Sequence, residues 1–395
     1  MAGTLYIVGG GMNRGEEEIV SAFIASAGGP AAKFAFVVSA SGDDPDGTFR
    51  SYVDDFARLG VERQNCVLIP LYAMHVKDER GFNAYNGDEE SLPALLEGVT
   101  GVWFSGGDQY HTAQCFLRPD GTYTRALEIL HEIYQKGGAI GGSSAGAAIM
   151  SHVMIGGGNN RGTLYHDTVF GYDTYEEIDE KDDPAAPLIL ARGLGFFPQG
   201  VVDQHFNKRP RLLRSIEACL ANREGIRVGF AVSEDTALVY NNGHISVLGS
   251  AGVYIIDCRN AVKTGNGCYD GVVLHAIHKG DSLDEKTGEI LLAGDCRGGK
   301  PRYVSCDYVS GGIIDSPAFD SFIDINLLQA RDDCMYFCEK RNMRYAKGIV
   351  AYEAHEKTYA VVLKYFRGDK TRGYRSAHTS FADVELAVRT REIQL

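Results

Sequence analysis

The stretch Ala139-Ile140-Gly141-Gly142-Ser143-Ser144-Ala145-Gly146-Ala147-Ala148-Ile149-Met150 reads as strand, sharp turn and helix. An apolar run ends in glycines, a serine pair follows, and small helix-forming residues come next. Gly142-Ser143-Ser144-Ala145-Gly146 has the Gly-x-Ser-x-Gly spacing of a nucleophile elbow. In such a turn a strained backbone lifts a hydroxyl clear, and the flanking glycines let two backbones pass without a side-chain clash. Ser144 is therefore the candidate nucleophile, with Ser143 its neighbour and the Ala145 N–H a candidate oxyanion donor. The same spacing also suits a helix that merely starts tightly under a sheet, so the decision falls to the rest of the chain.

About sixty residues downstream the chain runs Val201-Val202-Asp203-Gln204-His205-Phe206-Asn207-Lys208-Arg209-Pro210-Arg211-Leu212-Leu213-Arg214, a strand that delivers a histidine to a loop with three arginines after it. A further apolar strand, Val228 to Val232, ends just before Glu234 and Asp235, either of which supplies an acid to orient the imidazole. Gly101-Val102-Trp103-Phe104 is another strand and runs into Ser105-Gly106-Gly107-Asp108-Gln109. In parallel sheets ligands gather at the carboxyl ends of strands, so this loop is expected beside the elbow, with the Gly107 N–H as a second oxyanion donor.

Composition bounds the class. The chain has 395 residues, 44% of them hydrophobic, enough for a large core in one domain or two. Its 23% charged residues and the lack of any apolar run of about eighteen residues exclude a disordered or membrane-embedded chain. A net charge of −13 argues against nucleic acid or an anionic membrane as partner and favours a cationic ligand, one rich in guanidinium groups for example. Nine scattered cysteines lack zinc-ribbon spacing, and Cys334 and Cys338, four apart on an expected helix, read as packed thiols rather than metal ligands, so neither metal nor cofactor is expected. The N-terminal residues enter a strand directly, without a charged leader, and the expected location is the cytoplasm.

In chain order, strands at Leu5–Val8, Lys33–Ser39 and Cys66–Leu71 alternate with helices at Glu16–Ala27 and Thr48–Leu59, which implies a parallel sheet covered by helices on both faces. Gly9-Gly10-Gly11 lacks dinucleotide-binding spacing and reads as a tight turn. Residues 72–91 read as a surface excursion and the acidic residues 173–187 as a solvated loop or lid. His111–Lys136 is helical with a break near Pro119, and Pro210–Ala221 is helical. Thr236–Tyr240 returns through an Asn241-Asn242-Gly243 hairpin to His244–Leu248, and Val253–Asp257 and Val272–His278 are strands. From residue 293 the style changes, with a helix near 325–340 and a hairpin over Thr358–Phe366 turning at Arg367-Gly368-Asp369. The expected division is an α/β domain over 1–292 and an extension over 293–395.

The elbow, the 104–109 loop, the Asp203-Gln204-His205-Phe206 segment with its arginines, and Gly229–Ala237 resemble the cyanophycinases, members of the serine peptidase family that also contains aspartyl dipeptidase E. The likeness covers roughly residues 4 to 292 and carries four motifs in the right order. It implies an open α/β/α sheet akin to class I glutamine amidotransferases, and cleavage of cyanophycin, a poly-aspartate bearing arginine on every side-chain carboxyl, to β-aspartyl-arginine dipeptides without a metal. By motif Ser144 matches the nucleophile, His205 the base and Glu234 the acid. Gln109, Asp203, Gln204, Arg209, Arg211 and Arg214 match the residues that hold substrate. The order serine, histidine, acid differs from that of α/β-hydrolases. Two alternatives stand: a related peptidase acting on isoaspartyl or aspartyl dipeptides, and a non-catalytic binding protein of the same fold. The residues leave open a homodimer and the role of 293–395.

Overall fold

The computed structural model describes residues 2–42, 44–72, 86–171, 186–209 and 211–294, then the strand segments 297–298, 306–307, 313–314, 345–354, 357–375 and 379–393. Most of the expected excursion and of the acidic loop, and the whole expected helix near 325–340 with Cys334 and Cys338, lie outside the described residues. In the first part of the chain each short apolar run becomes a strand and each stretch of helical spacing a helix. In order these are β1 (Thr4–Val8), α1 (Glu16–Ser26), β2 (Lys33–Val37), α2 (Pro45–Arg58), β3 (Cys66–Ile69), α3 (Leu92–Leu95), β4 (Val99–Phe104), α4 (Gln109–Phe116), α5 (Arg125–Gln135), β5 (Ala139–Ser143) and α6 (Ala145–Ala148). Helix α2 starts earlier than its apolar spacing suggests, because Asp44 accepts a hydrogen bond from the Gly47 N–H at 2.8 Å and Pro45 is pre-set for a first helical position.

Strands β1, β5, β4, β2 and β3 lie side by side and parallel. Successive residues of a strand point to opposite faces, and here both faces are buried. Tyr6, Val8, Phe34, Phe36 and Trp103 pack with Phe23 of α1 and Phe56 of α2, while Leu5, Ile7, Val37, Val102 and Phe104 pack with Phe116, Leu127 and Leu130 of α4 and α5. Burial on both sides is why these strands read as continuous apolar runs rather than as alternation.

The second part comprises β6 (Val153–Gly157), α7 (Asn160–Tyr165), β7 (Val169–Phe170), β8 (Ile189–Arg192), β9 (Val201–Asp203), α8 (Leu212–Ala221), β10 (Val228–Val232), β11 (Thr236–Asn241), β12 (His244–Gly249), β13 (Gly252–Asp257), β14 (Val262–Gly265), β15 (Cys268–His278), β16 (Ser282–Asp284) and β17 (Glu289–Leu291). Among themselves the strands from β10 onward pair antiparallel, while β10 runs parallel to β9 on its other side. Strands β11, β12, β16 and β17 extend the first sheet beyond β1 to nine strands among the described residues, and β9, β10, β13 and β15 belong to a second sheet. The α/β character therefore stands, but the expectation of a mostly parallel sheet is corrected: only the half from β1 to β3 is parallel. The chain passes from the second sheet to the first between β10 and β11, at Ser233, Glu234 and Asp235.

The C-terminal region joins this second sheet. Strand Thr379–Ile393 pairs antiparallel with β15, setting Leu386 opposite Val272 and Val384 opposite Leu274. Polar contacts reinforce the pairing: Ser380 Oγ donates to Asp281 at 2.5 Å, and the Asp383 N–H donates to His275 Nδ1 at 3.0 Å. The hairpin expected to turn at 367–369 is instead one strand, Lys357–Arg375, whose pairing register with 379–393 slips between Arg367 and Arg372. A bulge absorbs the Arg-Gly-Asp sequence that otherwise reads as a turn. Among the described residues no helix is long and apolar enough to cross a membrane.

Removing residues 293–395 strips β15 of one of its partners, the strand over 379–393, and uncovers that side of Val272, Leu274 and Ala276, while the pairing with β13 remains. A chain ending at residue 292 is therefore expected to aggregate, or to unfold at least about 5 °C below the full chain in a thermal melt. An unchanged melting temperature for a soluble 1–292 chain would instead establish that segment as self-standing.

Candidate active site

The elbow forms as its spacing requires. Ser144 stands between β5 and α6 at φ 56° and ψ −110°, a conformation unusual for a residue with a side chain, and its N–H donates to the Val8 carbonyl at 2.9 Å. The backbone crossing behind it is tight: a Cβ on Gly142 would lie 2.4 Å from the Gly146 carbonyl oxygen. Any larger residue there would push α6 off the strand.

Opposite the hydroxyl, β9 ends and the chain turns at His205, also at positive φ (53°). The Ser144 Oγ and His205 Nε2 are 2.7 Å apart, and His205 Nδ1 lies 2.7 Å from Glu234 Oε1. A carboxylate only accepts, so Nδ1 carries the ring proton and Nε2 is left to accept from the serine. The Glu234 backbone N–H in turn donates to Asn207 Oδ1 at 2.8 Å, which ties Glu234 to the loop carrying His205. Asp235, the other acid considered, faces away from the imidazole: its carboxylate accepts from the Asn13 and Gly15 N–H groups at 2.7 and 2.8 Å and from Ser250 Oγ at 2.5 Å. A hydroxyl, an imidazole and a carboxylate in this line can pass the serine proton to nitrogen and stabilise the resulting cation, which is the chemistry of attack on a carbonyl.

Electrostatics keeps the imidazole neutral. Burial, and next to it the positive charge of Arg209, push the His205 imidazole down to about 4, with Glu234 pulling partly the other way. Between that value and the ordinary 6.5 the folded chain binds fewer protons here than the unfolded one, so this group withdraws stability as the pH falls through that window.

The second loop also arrives where expected. Gly106 stands against the elbow, where a Cβ would lie 3.4 Å from Ser144 Cβ, and Gly107 follows in the exposed loop, its backbone pressed on the Ala40 carbonyl. Ala145 opens α6, so its N–H has no preceding helical turn to bond. Gln109, half-buried, spends its amide nitrogen on the Gly156 carbonyl at 2.6 Å, joining α4 to β6.

The three arginines separate. Arg209 is exposed near His205. Arg211 and Arg214 are buried with Asp203: Arg214 donates to both carboxylate oxygens, at 2.6 and 3.0 Å, Ser215 Oγ adds a bond at 2.7 Å, and Arg211 donates to the Gln204 carbonyl at 2.7 Å. Burial alone would raise the Asp203 carboxyl, but the two guanidinium groups and these hydrogen bonds hold it below its ordinary value. The expectation that Asp203, Arg211 and Arg214 grip substrate from the cleft is corrected to this extent: their charges meet one another inside the protein, beneath the loop that presents His205. Gln204, next to His205, is buried too, and its Oε1 has no hydrogen-bond partner among the described residues.

Residues the motifs did not single out complete the site. Gly10 and Gly11, read as a plain turn, lie against the His205 ring and the Glu234 carboxylate, and Asn207 and Ser250 hold the acidic pair. Their only signal in the sequence is position: the glycines follow β1, the strand next to the elbow strand.

No family model matches the chain. Curated relatives do: a cyanophycinase of a Nostoc species is 30% identical over 266 residues, 66% of this chain and 76% of that protein. The cyanophycinase of Synechococcus elongatus is 29% identical over 283 residues, 69% of this chain and 76% of its own. That of Geminocystis herdmanii is 28% identical over 296 residues, 72% of this chain and 94% of its own. Among solved structures, a peptidase from an acI-B1 Actinobacterium is 19% identical and covers 72% of this chain and 97% of its own, with a TM-score of 0.48.

Two outcomes are expected. Asp203→Asn leaves two buried guanidinium groups short of their counter-charge and should cost about 3–5 kcal/mol in urea unfolding; a cost below about 1 kcal/mol would return those arginines to the cleft. In an NMR titration the His205 ring should show a midpoint well below 6.5, and Arg209→Gln should raise it, since removing a nearby positive charge favours the imidazolium.

Proposed function

The chain belongs to the cyanophycinase family, and from that premise we propose that it is a serine-type peptidase that cleaves the backbone of cyanophycin to β-aspartyl-arginine dipeptides. The observation that carries the mechanism is the line from Ser144 Oγ through His205 to Glu234, with both links at 2.7 Å. His205 Nε2 takes the hydroxyl proton as Ser144 attacks the scissile carbonyl, and the N–H groups of Gly107 and Ala145 receive the oxyanion. Each such donor typically lowers the barrier by roughly 3–4 kcal/mol. The imidazolium, steadied by Glu234, then protonates the leaving amine, and an acyl-enzyme remains on Ser144. Water, deprotonated by the same ring, releases it.

The low affinity of His205 for protons supports this reading, because the base is then available across the neutral range. We assign Arg209, exposed near His205, to a carboxylate of the poly-aspartate chain, which a bidentate guanidinium pairing would orient. The acidic net charge suits a substrate that carries arginine on every unit. Gln204, whose side-chain oxygen has no partner among the described residues, and Gln109, through the oxygen of an amide whose nitrogen is spent on Gly156, are the further substrate contacts we assign. The parallel half of the first sheet, ending in the elbow, supports the amidotransferase-like fold that the family implies. We place the chain among soluble cytoplasmic enzymes, and we divide it into a peptidase domain over 1–292 and an extension over 293–395 that completes the second sheet.

Incubation with purified cyanophycin and mass analysis of the products tests the proposal. The expected product is β-aspartyl-arginine, and Ser144→Ala should lower the rate on the order of 10⁵–10⁶-fold, with Glu234→Gln costing on the order of 10⁴-fold. Release of aspartate from isoaspartyl dipeptides, with the polymer left intact, would move the assignment to the related dipeptidase activity.

A further inference from the structure

Three residues in this site have side chains and positive φ: Ser144 at 56°, His205 at 53° and Asp235 at 56°. Each donates its backbone N–H to one of three consecutive carbonyls at the end of β1: Ser144 to Val8 at 2.9 Å, His205 to Gly9 at 2.8 Å and Asp235 to Gly10 at 2.8 Å. The segments that bring the hydroxyl, the imidazole and the acid thus hang from a single turn. The same turn meets their side chains: a Cβ on Gly10 would lie 2.3 to 2.9 Å from three atoms of the His205 ring, and one on Gly11 would lie 2.5 Å from Glu234 Oε2. A Cβ on Gly9 would collide with the carbonyl oxygens of Val232 and Ser233. The far end of the turn is fixed by the Asp235 carboxylate, which accepts from the N–H groups of Asn13 and Gly15.

We propose that Gly9-Gly10-Gly11 is the positioning element of the site, a floor without side chains that fixes the plane of the His205 ring and the reach of Glu234, with Asp235 as the clamp that holds the floor. This rests on reading Ser144, His205 and Glu234 as the reacting triad. Gly10 sits at φ 96° and Gly11 at φ 53°, so the turn needs glycine for its backbone as well as for the contact, and the two requirements have to be separated. Gly29 allows that. It has φ 89°, close to Gly10, and nothing lies within 4 Å of where its Cβ would be. Gly29→Ala therefore carries a like backbone cost with no collision.

The test is the rate at which a fluorophosphonate probe labels Ser144 in the full-length chain, normalised to the folded fraction from circular dichroism, for Gly10→Ala, Gly11→Ala and Gly29→Ala. The probe needs the triad but not the polymer, so the readout is independent of the substrate assignment. Gly10→Ala should label on the order of 100-fold more slowly than Gly29→Ala, the usual cost of displacing a reacting group by about 1 Å. Gly11→Ala should label about tenfold more slowly, and the midpoint of its pH profile should fall, because an imidazolium separated from Glu234 loses its partner. Equal labelling of Gly10→Ala and Gly29→Ala would overturn the proposal. If Gly10→Ala does not fold, Gly11→Ala decides: slower labelling with a lowered midpoint supports the floor, and labelling equal to that of Gly29→Ala removes it. A wild-type chain that takes no label would overturn the serine mechanism itself, and the positioning role with it.

Discussion

The structure depends on a convergence of backbones at the carboxyl end of β1. Peptide groups buried where two sheets meet need partners, and the carbonyls of Val8, Gly9 and Gly10 satisfy three N–H groups from three distant parts of the chain. Each of those N–H groups belongs to a residue held at positive φ, where a side chain costs of order 1–3 kcal/mol unless the surroundings over-determine the conformation. Here they do. The elbow is pinned by its crossing with α6, the His205 loop by β9 and the buried ions beneath it, and the acidic pair by its place in the short link between β10 and β11.

That link explains why the site lies at a seam. Strand β1 is parallel to β5 on one side and antiparallel to β11 on the other, so the nine-stranded sheet changes character at β1. The proposed nucleophile comes from the first sheet, and the proposed base follows β9 of the second. The acid rides on the chain as it crosses between them. Neither sheet alone brings the three groups together, which ties the geometry of the site to the docking of the whole fold rather than to one loop.

Much of this was legible in the amino-acid order because local rules governed it. The elbow announces itself through glycine spacing, the helix breaks through Pro119 and Gly121, and the Asn241-Asn242-Gly243 hairpin through residues that tolerate positive φ: Asn242 stands at 51° and Gly243 at 90°. What escaped was set by partners far away in sequence. Short strands such as β16 and β17 carry no mark of the sheet that they extend. The Arg367-Gly368-Asp369 stretch has turn composition, but its neighbours pair across it and a bulge takes the place of the bend. The glycine turn after β1 reads as a turn in any context, and its meaning comes from the imidazole and carboxylate that fold against it.

The arginines make the same point through electrostatics. Arg209, Arg211 and Arg214 lie within six positions of one another and look alike in sequence, yet one is exposed and two are buried. Burying two guanidinium groups is tolerable because a single carboxylate, Asp203, lies between them at the end of β9 and Ser215 fills one of its remaining acceptor sites. This fixes charge of both signs directly under the histidine loop, and the balance felt by His205 is then set by the arginine left outside. Arg209 and Arg211 oppose protonation of the ring while Glu234 favours it. Two of these influences are locked in place by packing, whereas Arg209 is held by nothing so enclosed. A carboxylate docking on Arg209 would neutralise the main charge set against the imidazolium, so an acidic ligand would raise the proton affinity of the His205 ring.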